Sequence, residues 1–178
     1  MIETARLTLR GWRAADAEAH HAMCGDPAII QTLGGPPSLS DSRAVVERQN
    51  RFLRDTGSCF LALEERATGV FMGWCGVKPG AAGTPIEAER EIGWSLAAGY
   101  WGRGYAREAA VASLGRAWSE LDLAGVAAIT TPGNVRSRGL MARLGMSLYP
   151  DEDFDHHDLA PGDPLRRHIV YRIARSVH

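Results

Sequence analysis

Residues 91–110 read EIGWSLAAGYWGRGYAREAA and carry the strongest structural signal in the chain. The apolar pattern up to Leu96 predicts a strand, the glycines at 102 and 104 predict a loop, and the alanine-rich segment after Tyr105 predicts a helix. Free backbone N–H groups and the positive end of a helix dipole then meet at one point, which is an arrangement that binds phosphate. The loop lacks the Lys-Ser/Thr pair of a P-loop and the G-x-G-x-x-G spacing of dinucleotide-binding proteins, so we expect a phosphorylated ligand other than ATP or NAD.

The rest of the chain predicts one mixed α/β domain over residues 1–178. Strands are predicted around Leu7 and Leu9 and at residues 58–64, 70–77, 87–96, 125–131 and 165–174. Helices are predicted at residues 17–24, from near Ser40 to Gly57, and at residues 105–121 and 135–144. Asp16 is the predicted N-cap of the first helix, and residues 78–85 and 150–164 are predicted loops. This order of elements indicates a mixed layer with an antiparallel front half.

Length, charge and cysteine content exclude several classes of protein. A length of 178 residues suits one domain, and a formal net charge of −1 gives no electrostatic basis for binding nucleic acid or an anionic membrane. The three cysteines, Cys24, Cys59 and Cys75, form no C-x-x-C pair, so neither a disulfide framework nor a structural zinc site is expected. No apolar run is long enough to span a bilayer, and the first residues form a strand pattern rather than a signal peptide. We therefore expect a cytoplasmic protein with free thiols.

Four motifs together resemble the GNAT acyltransferase superfamily, and most closely its RimJ/RimL-type branch, which is named for ribosomal-protein N-terminal acetyltransferases. They are residues 3–10 with Asp16, residues 91–96 with 100–109, residues 134–146 (NVRSRGLMARLGM), and residues 154–157 with 164–171. The resemblance covers nearly the whole chain. It implies a GNAT fold, in which helices flank a central, mixed, mostly antiparallel sheet that splays apart between its fourth and fifth strands. Trp101 stands where the superfamily loop Q/R-x-x-G-x-G/A has Gln or Arg, a departure that is common in this branch.

The resemblance implies acetyl-coenzyme A (acetyl-CoA) as co-substrate and no metal. Backbone N–H groups of residues 102–106 can point at its pyrophosphate, although a tight strand-to-helix turn would share this sequence. The resemblance places the pantetheine arm along the edge of the strand at residues 94–96, which is otherwise an ordinary core strand. In the family, the residue matching Asn134 hydrogen-bonds the pantetheine; Asn134 can also cap the following helix. The candidate cofactor-binding residues are Trp94, Ser95, Leu96, Trp101, Gly102, Arg103, Gly104, Tyr105, Ala106, Asn134 and Ser137.

Acetyl transfer to an amine requires a group that accepts a proton and a group that protonates the leaving thiolate. Glu91, a carboxylate on the central strand, is the first candidate for the base, and Glu89 shares its predicted face. The alternative is a solvated row of carboxylates at Glu87, Glu89 and Glu91. By resemblance, Ser137 lies near the thioester sulfur and is the candidate acid, either directly or through a water, because Met141 stands where many GNAT enzymes have a tyrosine. The strand at residues 92–96 is predicted to supply backbone amides to the oxyanion.

Several histidines have a less defined role. His168 recurs in the branch and is predicted either to line the acceptor pocket, to assist a proton relay or to be structural. His156 and His157 lie in an acidic segment without metal-ligand spacing, which predicts an exposed loop near the mouth of the site. Acidic residues of this segment, with Glu87 and Glu89, could make that mouth locally negative.

These features predict an N-acetyltransferase that joins donor and acceptor directly in a ternary complex, since no cysteine falls in a recognised catalytic segment. The acceptor is expected to be an amine, either a protein N-terminus or a small molecule, chosen by the first two helices and by residues 78–85 and 150–164. A non-catalytic acyl-CoA sensor is the alternative, and it would need neither Glu91 nor Ser137. The missing Lys-Ser/Thr pair disfavours a nucleotide-binding protein. A monomer or a homodimer is expected.

Overall fold

The computed structural model describes residues 1–176 and consists of helices packed on both faces of one sheet. The strands in this part of the chain are β1 (Ile2–Glu3), β2 (Leu7–Arg10), β3 (Phe60–Glu65), β4 (Phe71–Pro79), β5 (Arg90–Leu96), β6 (Gly125–Thr130), β7 (Ser147–Asp155) and β8 (Arg167–Ala174). The helices are α1 (Asp16–Cys24), α2 (Pro27–Leu33), α3 (Leu39–Thr56), α4 (Tyr105–Ser119) and α5 (Val135–Arg143), with a 3₁₀ turn at Ala98–Tyr100.

The sheet has the strand order β1-β2-β3-β4-β5-β6-β8-β7. Neighbouring strands are antiparallel except β5 and β6, which run parallel. β4 and β5 pair along their whole length, whereas β5 and β6 pair only at Glu91 and Ala127. The predicted mixed, mostly antiparallel sheet is therefore confirmed, and it opens between β5 and β6, the fourth and fifth of the strands predicted from the sequence.

The two faces of the sheet are covered by different helices. Helix α4 packs its alanines on one face, where Ala109 and Ala110 are fully buried against a large apolar core that includes Ile92. On the other face, α1 and α3 cover β3 and β4 through a smaller cluster formed by Trp12, Ala17, Val46 and Ala62. Trp12 is fixed there because its indole N–H donates to the Phe60 carbonyl at 2.6 Å.

Two predicted features at the N-terminal half are corrected. Helix α2 was not predicted, although Asp26 accepts a hydrogen bond from the Ala28 N–H at 2.8 Å and Pro27 opens the helix. Asp16 was predicted to cap α1, but the cap residue is Ala15 and Asp16 lies inside the helix. The prediction failed because the Asp16 carboxylate has a stronger partner: it accepts from the Arg10 guanidinium at 2.7 and 2.9 Å.

Arg10 joins α1 to β3 through a buried group of charges. Its guanidinium contacts Asp16 on α1 and Glu64 on β3, the latter at 2.5 Å, and each of the three side chains is at most 9% exposed. Hydrogen bonds and charge from Asp16 and Glu64 raise the pKa of Arg10 despite its burial. Arg13 contacts the same Glu64 oxygen at 2.8 Å, but its side chain is 64% exposed.

Two further predictions are wrong in the second half of the chain. Residues 150–164 were predicted as a loop, yet β7 runs through Asp155 and pairs with β8. This strand lies at the sheet edge, its residues up to Asp151 are exposed, and the pairing is irregular between Tyr149 and Phe154, so no alternating pattern marks it. Residues 87–89 were predicted as strand, but β5 begins at Arg90 and the preceding residues form turns.

Replacing Arg10 with Met tests the buried charge group. We expect the substitution to lower the free energy of unfolding by about 3–5 kcal/mol, because it leaves buried carboxylates without their cation. Arg13→Met is the matched control on the same Glu64, and it should change stability by less than about 1 kcal/mol because the pair is exposed. Urea unfolding followed by circular dichroism measures both. Equal losses in the two variants would contradict this account.

Candidate functional site

A cavity of about 540 Å³ lies where β5 and β6 diverge. The end of β5, the loop before α4, the beginning of α5 and one side of α2 form its walls. Most of the sequence-predicted cofactor residues line it, namely Trp94, Ser95, Leu96, Trp101, Gly102, Gly104, Tyr105, Ala106, Asn134 and Ser137. Arg103 and Glu91 are not among the lining residues.

The loop before α4 has a backbone conformation that depends on glycine. Gly102 has φ of +71° and Gly104 has φ of +82°, values that residues with a Cβ rarely adopt. Gly104 is the N-cap of α4, and no side chain caps this helix. The first N–H groups of α4 are thus free to bind an anion in the cavity, and the helix dipole favours one there.

Trp101 ties this loop to the end of β5. Its indole N–H donates to the Leu96 carbonyl at 2.7 Å, and the Arg136 guanidinium lies 4.5 Å above its ring. Trp101, which departs from the general loop motif, therefore fixes the loop to the end of β5. Arg107, Arg136 and Arg143 also line the cavity and add positive charge to it. The sequence analysis missed the two on α5; their spacing of seven residues, which places them on one helix face, could have identified them.

Arg103 does not line the cavity, and its carbonyl takes part in a contact with Arg6. The Arg6 guanidinium donates to the Arg103 carbonyl at 3.1 Å and lies 4.2 Å from the centre of the Tyr105 ring. Glu108, in the first turn of α4, holds Arg6 through a hydrogen bond of 2.7 Å. Burial acts to raise the pKa of Glu108, but hydrogen bonds from Thr4 and Arg6 lower it overall. The negative charge nearest the anion site is therefore paired.

Asn134 and Ser137 lie at the beginning of α5, on the opposite wall. The Asn134 side chain accepts from the Ser137 N–H at 3.2 Å, so Asn134 caps the helix as expected. Both residues also line the cavity, which leaves the capping and ligand-binding interpretations compatible. Met141, one turn further, is 2% exposed and belongs to the main core.

The three glutamates of the predicted row occupy different environments. Glu91 is 8% exposed on β5 and pairs with Lys78 of β4. Glu89 precedes the strand and accepts hydrogen bonds from Nε and Nη2 of Arg172, while Glu87 accepts from the Gly83 N–H at 2.8 Å. The expectation that Glu89 shares a strand face with Glu91 is wrong, because β5 begins only at Arg90.

Arginines contact several carboxylates of the acidic segment near residue 155. Glu152 contacts Arg172 at 2.6 Å, and Arg167 lies 3.6 Å from both Asp153 and Asp155. These contacts lower the negative charge of the segment, but Arg172 and Arg167 are each shared by two carboxylates, so the segment stays acidic. His156 and His168 lie beside it, and burial lowers the pKa of each.

All three cysteines are free and buried. Burial raises the pKa of Cys24, and it raises the pKa of Cys59 and of Cys75 to about 12. These thiols are therefore protonated at neutral pH and are poor nucleophiles. Among residues 1–176, no group of three or more His, Cys, Asp or Glu residues could hold a metal ion. No helix in the same residues has the length and apolar character needed to cross a membrane.

Comparison with known proteins gives consistent matches over most of the chain. A family model described as "Acetyltransferase (GNAT) domain" matches residues 6–147. The uncharacterized protein YkkB of Bacillus subtilis (strain 168) is 31% identical over 148 residues, which cover 82% of this chain and 84% of that protein.

Two further relatives have names that describe an activity. The FsC-acetyl coenzyme A-N(2)-transacetylase of Aspergillus fumigatus is 31% identical over 180 residues, covering 98% of this chain and 76% of that protein. The crystal structure of an acetyltransferase from Agrobacterium tumefaciens str. C58 superposes with a TM-score of 0.78 at 32% identity, covering 98% of this chain and 94% of that one.

Proposed function

The chain belongs to the GNAT acetyltransferase family and is an N-acetyltransferase that uses acetyl-CoA, and we propose that its acceptor is a primary amine attacked directly in a ternary complex. The amine is a protein N-terminal α-amine or that of a small molecule. An α-amine has a pKa near 8, so an appreciable fraction is neutral and nucleophilic at physiological pH, unlike a lysine amine. The burial of all three thiols supports direct attack over an acyl-cysteine intermediate.

The cavity at the β5–β6 opening is the observation that carries this proposal. Its loop offers the first N–H groups of α4 to the pyrophosphate, with Arg107 beside them. The edge of β5 beyond Glu91 has no register partner in β6, so residues 94–96 can pair with the amides of the pantetheine arm. The thioester would then lie between Ser95 and the start of α5. Arg136 and Arg143 are placed to take the remaining phosphate charge.

The chemistry is assigned to Ser137, which lines this cavity, and to Glu91, which lies outside its lining on the same strand as Ser95. Ser137, or a water that it holds, would protonate the leaving thiolate; a thiolate is a good leaving group, so a weak acid is sufficient. Glu91 would remove the proton from the amine. Lys78 pairs with one carboxylate oxygen of Glu91, so Glu91 would reach the amine through a water. Backbone N–H groups of β5 that face the opening would stabilise the oxyanion.

The surface where an acceptor amine would enter combines acidic and apolar residues. The carboxylates at Glu152, Asp153 and Asp155 contact arginines, so they are not free to bind a cationic acceptor without losing those contacts. Ile29 and Leu33 of α2 give the cavity an apolar wall that could hold the apolar part of an acceptor. Assignment to the RimJ/RimL-type branch, a cytoplasmic location and a monomeric or homodimeric state are parts of the proposal that rest on the sequence motifs.

The proposal predicts that purified protein releases free thiol from acetyl-CoA when an acceptor amine is present. A panel of peptides with different N-terminal residues, together with small amines and a polyamine, should contain a substrate, and mass spectrometry should find a gain of one acetyl group on its nitrogen. N-terminally blocked versions of the same peptides are the control. If acetyl-CoA binds but no member of a broad panel is acetylated, the result contradicts the enzyme proposal and favours the acyl-CoA sensor.

Gly104→Ala is expected to weaken binding of acetyl-CoA at least tenfold. An alanine at φ of +82° is strained by roughly 1–2 kcal/mol, and relief of that strain would turn the first N–H groups of α4 away from the pyrophosphate. Gly99→Ala is the matched control, because this neighbouring glycine does not have a left-handed φ and has open space around it. Isothermal titration calorimetry measures both affinities; unchanged affinity in Gly104→Ala would remove the loop from the proposed donor site.

Ser137→Ala and Glu91→Gln separate an enzyme from a sensor. If Ser137 is the acid, its replacement should lower kcat about ten- to a hundredfold while the affinity for acetyl-CoA changes less than about threefold. Glu91→Gln should likewise lower kcat if the carboxylate acts as the base. Stopped-flow turnover and calorimetric affinity provide the two readouts. A sensor would retain its affinity for acetyl-CoA in both variants and show no turnover in any form.

A further inference from the structure

A group of three histidines and one phenylalanine lies where β7 and β8 meet. Phe154 pairs with His168 across the two strands, and their rings stack with centroids 5.5 Å apart. The His156 ring is 5.2 Å from that of His168 and 5.1 Å from that of His157. The function proposed above uses none of these side chains.

His168 lies next to the opening in the sheet. It directly precedes Ile169, which pairs with Thr130 at the end of β6, and the Asn134 N–H donates to the Thr131 carbonyl in the following turn. These neighbour relations put the backbone of His168 within roughly 12 Å of that of Asn134. The backbone of His168 is therefore close to the wall at which the thioester is proposed to lie, although His168 itself does not line the cavity.

The His168 side chain is on the face of the sheet opposite α4. Val170, two residues on, packs with Ile86 and Ala127 on that face, while Ile169 and Tyr171 belong to the core under α4. Ala127 is the residue that pairs with Glu91, so His168 and Glu91 share a face. The donor cavity has its α4 and α5 walls on the other side. An acceptor that enters on the His168 face would thus meet the donor through the opening.

The hydrogen bonding of His168 leaves one ring nitrogen free to take a proton. Nδ1 lies 3.1 Å from the Arg166 carbonyl, which can only accept, so Nδ1 carries the hydrogen. In the neutral ring, Nε2 then has a lone pair. Burial lowers the pKa of His168, which keeps the ring neutral at physiological pH. Glu91, in contrast, already holds the Lys78 ammonium.

We propose that Nε2 of His168, rather than Glu91, accepts the proton of the attacking amine. This role rests on the N-acetyltransferase function proposed above, and it replaces Glu91 as the base assigned there. Phe154 and the Arg166 carbonyl would hold the ring in position, and His156 would keep a second neutral imidazole beside it.

The step balances without a further reactant. The amine nitrogen forms a bond to the thioester carbonyl carbon, and its proton passes to Nε2 of His168. The tetrahedral intermediate then collapses, the C–S bond breaks, and the thiolate takes a proton from Ser137 or a water. The imidazolium returns its proton to the solvent, from which that donor is reprotonated. The net result is an amide and a thiol, with one proton moved from nitrogen to sulfur.

The proposal gives a direction to the pH dependence. His156 and His168 are surrounded by several charged and titratable groups. These are Arg166, Asp158 and His157 on the same segment, and Glu91 with Lys78 across the sheet. Because the pKa of His168 is below the usual histidine value of about 6.5, activity should persist as the pH falls to that value and be lost below it. Activity is lost because protonation of His168 occupies the Nε2 lone pair, so the ring can no longer accept the proton of the amine.

His168→Asn is the decisive variant, because an asparagine amide can still donate to the Arg166 carbonyl but has no base. With a substrate found above, we expect kcat to fall roughly 10²–10⁴-fold, the acid limb of the pH profile to disappear, and acetyl-CoA affinity to change less than about threefold. His21→Asn is the matched control, since His21 also has Nδ1 next to a backbone carbonyl, that of Pro37 at 2.9 Å. It should retain the acid limb of the pH profile.

Two results would overturn the assignment to His168. One is a His168→Asn variant that keeps more than about a third of wild-type kcat together with its acid limb, particularly if Glu91→Gln loses that limb. The other comes from His168→Gly, which is used if the asparagine variant fails to fold. Imidazole added to the glycine variant should then restore activity. If the glycine variant folds and imidazole does not restore activity, His168 is not the base.

A measurement without turnover keeps this inference separate from the enzyme proposal. In ¹⁵N-labelled wild-type protein at pH 7, NMR should show a neutral His168 ring with hydrogen on Nδ1, and a titration midpoint below about 6.5. A ring protonated at Nε2 would refute the proposed role even if the protein acetylates amines. Absence of turnover with the expected tautomer would instead refute the function on which the role rests.

Discussion

The separation of β5 from β6 is the constraint on which the rest of the molecule depends. β4 pairs with β5 along its length and β8 pairs with β6, but β5 and β6 pair with each other only at Glu91 and Ala127 within the described chain. Backbone N–H and C=O groups beyond that pair need partners, and a ligand with amide groups can provide them. The same divergence makes a passage between the two faces of the sheet. Donor and acceptor can therefore approach one point from opposite sides, each with its own walls.

The anion site beside this passage illustrates how a local conflict of charges is resolved. Glu108 stabilises the first turn of α4 by its interaction with the helix dipole, but an unpaired carboxylate there would repel a phosphate. Arg6 pairs with Glu108 and also binds the Arg103 carbonyl, so one guanidinium neutralises the carboxylate and fixes the loop from behind. Trp101 fixes the other end of the loop to β5. The loop is thereby held in shape before any ligand arrives, which reduces the entropy lost on binding.

Local sequence signals predicted the features that depend on neighbouring residues. The strand, loop and helix of residues 91–110 follow from periodicity and glycine, and the structure places ten of the eleven predicted cofactor residues around one cavity. The failures involve distant partners. Asp16 has the local chemistry of a cap, but its carboxylate accepts from Arg10, a guanidinium that also binds Glu64. Glu91 was correctly placed on a strand, whereas its pairing with Lys78 depends on strand register, and β7 shows little alternation because it lies at an edge.

The burial of the three thiols has a practical consequence for work on this protein. Reagents that report free thiols by disulfide exchange react with the thiolate, and Cys24, Cys59 and Cys75 are neither exposed nor ionised near neutral pH. The folded protein should therefore be almost silent towards an aromatic disulfide dye, and the colour that develops in solution would come from coenzyme A alone. The packing that excludes these cysteines from chemistry also makes the product of the reaction directly visible.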